Sequence, residues 1–300
     1  MLSNLSAQYL LEQAESFKND GKYLHSIQIY ISLINNYPYL SDAFLNLAEI
    51  YSSAGFSNQA VNIMKYYIDR NPDVEEAKLY TANLLMRDER WTDTLNFLSD
   101  FRSMSEPTSE FFKGYCYFRL KNFEQAENYL SEYIRFEGKT DFLYEALLYL
   151  SKCEIEMNKL NLALKHLKLC GAYYEDFWEW NLLIAKVYAL LRMETHALKY
   201  INRALKQNEK KPGVLKWAAR IYSMNDKPSE ADKFYSRLVN SADIISADIH
   251  NEYADFCKKN SKIKQAIIHY KLALKIEPGN SRAKTALHQL KSVSEKKQEK

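Results

Sequence analysis

The chain has 300 residues, a formal net charge of +3, 47% hydrophobic residues and 26% charged residues. Its seven glycines and six prolines are fewer than the usual frequencies of about 7% and 5% would give, which favours helices joined by short turns. No segment approaches the roughly 20 apolar residues that cross a bilayer, and the first 20 residues lack the pattern of a signal peptide, so we expect a cytoplasmic protein with no direct membrane insertion.

Small residues recur along the chain at a nearly constant interval. One series reads Ser26, Ala60, Thr94, Ala126, Ala163, Ala197, Ala231 and Ala266. A second series precedes each of these by twelve residues: Ala14, Ala48, Ala82, Gly114, Ser151, Ala185, Ala219 and Ala254. Two antiparallel helices approach closely only where their side chains are small. The series therefore predicts eight helix pairs, one per repeat.

The stretch QAIIHYKLALKIEPGN, residues 265–280, shows one repeat clearly. Ala266, Tyr270 and Ala273 fall on one helical face, and Pro278 ends the helix. Eight such units with a dominant period of 34 residues resemble the tetratricopeptide repeat family. The resemblance implies an all-α fold, a right-handed superhelical solenoid of antiparallel helix pairs closed by a C-terminal capping helix.

The predicted organisation is a single solenoid over residues 1–291. Its repeats are 7–40, 41–74, 75–106, 107–140, 144–177, 178–211, 212–245 and 247–280. The cap is expected at 281–291, because solenoids need a terminal element with a polar outer face. A charged, disordered tail is expected at 292–300.

Register tyrosines such as Tyr30, Tyr133, Tyr235 and Tyr270 are predicted to pack their rings between helices and to direct their hydroxyls to solvent. A further aromatic cluster, CGAYYEDFWEW at 170–180, is interpreted as packing at a repeat junction, with an exposed binding patch as the alternative.

The sequence gives no sign of catalysis. It contains neither a glycine-rich phosphate loop nor an HExxH motif. His166 and Cys170 are one helical turn apart, but we interpret them as a surface imidazole beside a core thiol. The four cysteines form no CxxC pair and are predicted to be free thiols. We therefore expect no catalytic residues, no cofactor and no bound metal.

Charge is divided unevenly along the chain. Residues 1–140 carry 13 Lys and Arg against 19 Asp and Glu, and residues 141–300 carry 28 against 19. The residue after each first-helix small site is predicted to face the concave groove, and three successive ones are cations: Lys152, Lys186 and Arg220. With Lys216 they form a candidate site for acidic groups. Neighbouring aromatic residues are the candidate apolar anchors, namely Phe111, Phe112, Tyr115, Phe118 and Tyr149.

These features predict a non-catalytic scaffold or adaptor that binds a partner peptide or protein in the concave groove. The C-terminal half of the groove is expected to bind an acidic segment of that partner. One alternative is a self-assembling structural subunit of a larger complex, so a homo-oligomer stays open. A solenoid that binds RNA or another anionic polymer is less favoured, because groove positions such as Leu45, Leu79 and Leu148 are apolar.

Overall fold

The computed structural model describes residues 2–101, 107–136, 141–240 and 246–298, with side chains from residue 6 to residue 290. The chain forms two compact units, Met1–Asn158 and Lys159–Lys300. The boundary falls inside the predicted repeat 144–177. Whether the eight repeats make one continuous solenoid stays a prediction.

The first unit consists of successive helix pairs. Its helices are α1 Leu2–Asn19, α2 Tyr23–Asn36, α3 Ser41–Ser53, α4 Ser57–Arg70, α5 Glu75–Arg87, α6 Trp91–Phe97, α7 Thr108–Arg119, α8 Phe123–Ile134 and α9 Leu143–Glu156. Odd-numbered helices are the first members of their repeats and even-numbered helices are the second.

The second unit continues with helices of the same kind. They are α10 Leu160–Leu169, α11 Gly171–Tyr174, α12 Trp178–Leu190, α13 Glu194–Gln207, α14 Pro212–Met224, α15 Pro228–Val239, α16 Ala247–Lys259, α17 Ile263–Ile276 and α18 Ser281–Gln298. Here α12, α14 and α16 are first helices, and α10, α13, α15 and α17 are second helices. The antiparallel pairs and terminal helix confirm the predicted all-α fold class.

All sixteen small register residues are buried. Gly114 shows why: a Cβ atom placed there would lie 2.7 Å from Cγ of Leu130 on the partner helix. The large register side chains fill the space between these contacts, and Tyr30, Tyr133 and Tyr270 are each 0% exposed. Alternation of small and large side chains therefore sets the helix spacing, as expected for close-packed interiors.

Each helix pair turns through one residue in the left-handed region of φ. These residues are Gly21, Gly55, Glu89, Lys121, Asn158, Arg192, Asp226 and Ser261. In most pairs the next residue donates its N–H to the carbonyl five residues back, as from Phe56 to Tyr51 and from Met193 to Tyr188. This is the Schellman helix ending, and it repeats with the same spacing as the small residues.

First and second helices occupy opposite sides of each unit. Successive first helices contact one another, α3 with α5, α5 with α7, α7 with α9, and α12 with α14. Second helices contact mainly the first helices before and after them. First helices therefore form the inner side and second helices the outer side, the arrangement by which solenoids curve.

The last helix packs on α17 through Ala283, Ala286 and Leu290, which are buried. It extends to Gln298, seven residues beyond the predicted cap 281–291, through most of the segment for which disorder was expected. Lys, Glu and Gln in that segment are good helix formers, which explains a helix where disorder was expected. Residues 299–300 lie outside the described residues.

Candidate functional site

Two of the predicted anchors, Phe111 and Phe112, lie in the core of residues 1–158. Each is only 6% exposed, and Phe111 stacks on Phe142 with ring centroids 4.6 Å apart. Their role as an anchor for a partner stays a prediction, and they expose little surface to a partner. Both residues lie on the part of α7 that packs against neighbouring helices, and burying their apolar surface there stabilises the fold.

The other predicted rings come together on the inner side of α7 and α9. Tyr149 lies 4.8 Å from Tyr115 and 5.1 Å from Phe118 between ring centroids. The ammonium of Lys152 is 4.7 Å from the Tyr149 ring centroid, within the range of a cation–π contact. Burial raises the pKa of Tyr149 to about 12, so its hydroxyl stays protonated at neutral pH. The half-buried surface formed by Tyr115, Phe118 and Tyr149 therefore includes the positive charge of Lys152.

The remaining predicted cations lie on α12 and α14 of the second unit, around a tryptophan that the sequence reasoning did not select. Lys186 Nζ is 5.9 Å from the Trp217 ring centroid, and Arg220 Cζ is 4.8 Å from it. Lys216 is half-buried on α14. Lys152 belongs to the first unit, so a continuous row formed by Lys152, Lys186 and Arg220 stays a prediction. The contacts of Lys186 and Arg220 with Trp217 are observed in the structure.

Arg220 is already engaged by a carboxylate from the next repeat. Its Nε and Nη2 donate to the two oxygens of Glu252 at 2.5 and 2.6 Å. The Tyr235 hydroxyl donates to the same carboxylate at 3.0 Å. Hydrogen bonding to Glu252 raises the pKa of Arg220 despite its burial, and burial followed by the Glu252 charge raises that of Tyr235. The use of Arg220 to hold a partner's acidic group stays a prediction, and it would have to compete with Glu252.

The same kind of pairing links other repeats through predicted groove positions. Glu49 accepts from the Tyr80 hydroxyl at 2.8 Å and from Arg87 at 3.2 Å, both in the next repeat. Burial opposes ionisation of Glu49, but these donors outweigh it and lower its pKa. Asp255 binds the Tyr270 hydroxyl within its own repeat and Arg282 of the terminal helix. Charged groove positions thus hold adjacent helices in register.

These contacts also correct the prediction for the tyrosine hydroxyls. Tyr235 and Tyr270 donate to carboxylates rather than to solvent. The Tyr133 hydroxyl accepts the backbone N–H of Phe142 at 2.9 Å. A tyrosine ring buried between helices places its hydroxyl beside the next helix. There the hydroxyl forms a hydrogen bond with a group of the same chain and not with water.

A pocket of about 380 Å³ opens beside Trp217. It is lined by Ala189, Leu190, Arg192, Trp217, Arg220, Ser223, Met224 and Tyr235. Arg192 is exposed at the turn after α12, and among the described residues no carboxylate lies within ion-pair distance of it. The pocket therefore combines an aromatic wall with a cation that is available to a ligand.

The eight turns, the inner and outer helices and the buried small residues define the architecture, and comparison with known proteins agrees with it. The TPR repeat-containing protein YpiA of Bacillus subtilis (strain 168) is 22% identical over 165 residues, covering 54% of this chain and 39% of that protein. A tetratricopeptide repeat protein from Parabacteroides merdae matches with a TM-score of 0.54 over 88% of this chain and 99% of its own, at 13% identity. The chain has the tetratricopeptide repeat fold.

One more solved structure extends the comparison of the tetratricopeptide repeat fold. The APC/C hetero-tetramer Cut9–Hcn1 matches with a TM-score of 0.59 over 94% of this chain and 55% of the matched chain, at 16% identity. The present chain thus spans about two fifths of the curated relative and about half of this structure's chain. No protein-family model matches it.

The structure divides the aromatic cluster at 170–180 between core and surface. Trp180 is 4% exposed and donates from Nε1 to the carbonyl oxygen of Leu167 at 2.9 Å. Tyr173 and Phe177 are instead 54% and 52% exposed. Packing and exposure, the two interpretations of this cluster, thus apply to different residues.

The cysteines are buried and free. Burial raises the pKa of Cys170 to about 11, which disfavours the thiolate that a metal would need. In the part of the chain that the structure describes, no three metal-ligating side chains converge. None of the described helices is long and apolar enough to cross a bilayer.

Two histidines, His250 on α16 and His269 on α17, lie side by side with their Nδ1 atoms 3.2 Å apart. His269 also packs on Tyr253, whose hydroxyl bonds to Asp232. Burial, followed by the charge of His250, lowers the pKa of His269 to about 4, although Asp232 acts in the opposite direction. Burial also lowers the pKa of His250. The folded protein therefore holds both imidazoles neutral.

We expect the histidine pair to make the second unit less stable in mild acid. The unfolded chain takes up protons below pH 6.5, the ordinary histidine pKa, whereas His269 in the folded protein resists protonation until about pH 4 and the pKa of His250 is also lowered. The contribution of the pair is thus complete above pH 6.5 and is lost as the pH falls toward 4. Because the rings are half-buried, we expect a loss on the order of 1–2 kcal/mol after solvent screening.

Urea unfolding between pH 7.5 and 4 measures this effect as the difference between wild type and a His269→Asn variant. The stability of wild type should fall toward that of the variant as the pH drops. His288→Asn, on an exposed residue of α18, is the control and should follow wild type. Parallel curves for wild type and His269→Asn would contradict the prediction.

Proposed function

We propose that the protein is a non-catalytic scaffold that binds a protein or peptide partner on the inner side of its first helices. The pocket beside Trp217 is the observation that carries this proposal, because it is concave, partly apolar and lined from consecutive repeats. Tryptophan and arginine are the residue types that most often dominate binding energy at interfaces. The relatives named above support the scaffold role only through their shared fold.

The ligand chemistry follows from which side chains remain available. Trp217 offers a ring face to an apolar side chain, while Arg192 offers positive charge in the same pocket. Arg220 lines the pocket, but its guanidinium group is paired with the carboxylate of Glu252. We therefore propose a partner segment with an apolar residue next to an acidic one. A cytoplasmic location remains part of the proposal, since four free buried thiols agree with a reducing compartment.

Affinity capture from native lysate with immobilised protein tests this function, followed by titration of any captured partner against variants. Trp217→Ala is expected to weaken binding at least tenfold, the order expected for loss of an aromatic anchor. Arg192→Glu should lower the association rate and make it less sensitive to salt.

Trp178→Ala is the matched control, because Trp178 is half-buried in the same unit but does not line the pocket. It should bind like wild type. Equal binding by all three variants would place the partner elsewhere. A mass that rises with concentration in sedimentation would instead favour self-assembly.

A further inference from the structure

The outer side of the second unit carries a concentration of positive charge that the groove does not explain. Residues 159–300 hold 27 Lys and Arg against 15 Asp and Glu, a net charge of +12, whereas residues 1–158 hold 14 against 23, a net charge of −9. The second helices of this unit contain ten cations, here called the basic outer face: Lys165, Lys168, Lys199, Arg203, Lys206, Lys233, Arg237, Lys264, Lys271 and Lys275.

All ten cations are exposed. The same four helices contain only three acidic residues, Glu194, Glu230 and Asp232. The second helices of the first unit show the opposite balance, with two cations, Lys65 and Arg70, against five acidic residues. Positive charge is therefore a property of one outer face and not of second helices in general.

The basic outer face is also poorly neutralised by the protein itself. Within the described residues, Arg237 alone of the ten lies within ion-pair distance of a carboxylate, 3.4 Å from Glu209. Arg203 and Lys206 share a shallow hollow with Glu175 and Asp176 at one end of α13. No acidic residue occurs in α17. Such an uncompensated surface attracts an extended anion and is expected to do so more strongly at low salt.

Helical spacing aligns these side chains into outward stripes. On α17, Lys264, Ile268, Lys271 and Lys275 follow one another at intervals of four, three and four residues, so they share one face. The opposite face of α17 is the buried one, with Ala266, Tyr270 and Ala273. The stripe is therefore held outward by the same packing that defines the repeat.

Exposed aliphatic side chains lie among the cations. Ile268 is 54% exposed inside the α17 stripe, and Leu162 and Leu169 are 46% and 55% exposed on α10. Eight of the ten cations are lysines, whereas nucleic-acid surfaces favour arginine and exposed stacking rings. On α13, Tyr200 is stacked on Tyr188, and the His196 ring also packs against Tyr188. Lysine with projecting aliphatic residues is typical of peripheral contact with anionic lipid.

We propose that the basic outer face binds the surface of a bilayer containing anionic phospholipid. Lysine ammonium groups would lie at the headgroup phosphates, with Ile268 entering the interface between them. This contact uses the second helices, so it leaves the Trp217 pocket on the first helices free for a partner. The protein would then hold that partner at a membrane without crossing it.

Sedimentation with vesicles tests the proposal on the full chain. Vesicles of phosphatidylcholine mixed with phosphatidylglycerol should bind the protein, with an affinity that falls steeply with salt, and pure phosphatidylcholine vesicles should not. Lys264→Gln/Lys271→Gln/Lys275→Gln should lower the affinity on the order of a hundredfold, since each cation near such a surface contributes about fivefold. Ile268→Ser should lower it severalfold with no change of charge.

The matched control is Lys210→Gln/Lys227→Gln/Lys259→Gln, which removes the same charge from exposed positions of the same unit away from the outer stripes. It should lose less than about tenfold, and circular dichroism should show equal helicity for both triple variants. Equal losses in the two triple variants, or no binding to the anionic vesicles, would overturn the proposal. Binding of homopolymer RNA without vesicle binding would overturn it in favour of nucleic acid, and unchanged vesicle binding by Ile268→Ser would overturn the interfacial role of that residue.

Discussion

Replacing Gly114 by leucine is expected to destabilise residues 1–158 by about 3 kcal/mol or more, the upper range for overpacking a core. A Cβ atom at this position would lie 2.7 Å from Cγ and 3.1 Å from the backbone nitrogen of Leu130. A flexible side chain can move away, but the backbone of α8 cannot move without separating the helix pair. Urea unfolding followed by circular dichroism measures the change as a lower midpoint for this unit.

Gly114→Ala is a stricter test because two effects act in opposite directions. Alanine is a better helix former than glycine by about 1 kcal/mol. Helix propensity therefore predicts stabilisation, whereas the contact with Leu130 predicts destabilisation, and we expect the contact to prevail. Gly279→Leu is the control, since no atom lies within 4 Å of a Cβ placed there. It should change stability by less than about 0.5 kcal/mol. An unchanged midpoint for Gly114→Leu would show that the pair is not fixed by close approach.

The helix pairs could be predicted because their determinants are local and periodic. A buried small residue at a fixed offset, such as Ala185 twelve positions before Ala197, reflects a contact that every repeat must make. The periodic pattern is strong even where individual residues vary, as with Thr94 in place of alanine. Its burial, with the hydroxyl bonded to the Arg90 carbonyl at 2.9 Å, explains why threonine is tolerated there.

The turns were harder to identify from sequence. Left-handed φ is normally associated with glycine, but only Gly21 and Gly55 follow that rule here, and residues such as Glu89, Lys121 and Arg192 adopt it elsewhere. Tertiary packing of the two helices imposes the turn, and the strain at a non-glycine residue is offset by that packing. Composition therefore predicted short turns without showing which residue makes each one.

The candidate site was predicted less well because its residues were assigned from position within one repeat. Phe111 was placed on the inner surface, but its face of α7 packs against Phe142. Arg220 is a cation at a predicted groove position, but its carboxylate partner lies 32 residues later in the next repeat. Opposite charges about one period apart on first helices, such as Arg220 with Glu252, are the signal that could have revealed the pairing.

The pairing leads to the second prediction of large effect. Arg220→Glu would place two carboxylates where the structure has a bidentate ion pair, and Glu252→Arg would place two guanidinium groups there. Side-chain exposure of 35% for Arg220 and 19% for Glu252 makes the site partly buried, so we expect each single reversal to destabilise the second unit by about 2–4 kcal/mol. Urea unfolding at pH 7 would record this loss.

The double variant Arg220→Glu/Glu252→Arg tests whether the two charges stabilise the protein through their mutual contact or independently of each other. If the pair links α14 to α16, exchanging the charges should recover at least half of the stability lost by either single variant, a coupling of about 1–3 kcal/mol. Recovery should be incomplete, since the Tyr235 hydroxyl donates to Glu252 and would meet a second donor in the exchanged pair. Losses that simply add in the double variant would contradict the interpretation.

The same exchange distinguishes support of the groove from direct binding by Arg220. A partner held by the Trp217 pocket and Arg192 should bind the exchanged protein more tightly than it binds Arg220→Glu, because the ion pair between α14 and α16 is restored while the positive charge at position 220 is gone. If Arg220 itself met an acidic group of the partner, the exchanged variant would fold and yet lose binding, as Arg220→Glu does. Stability and affinity measured on one set of three variants therefore assign Arg220 either to the link between repeats or to the partner site.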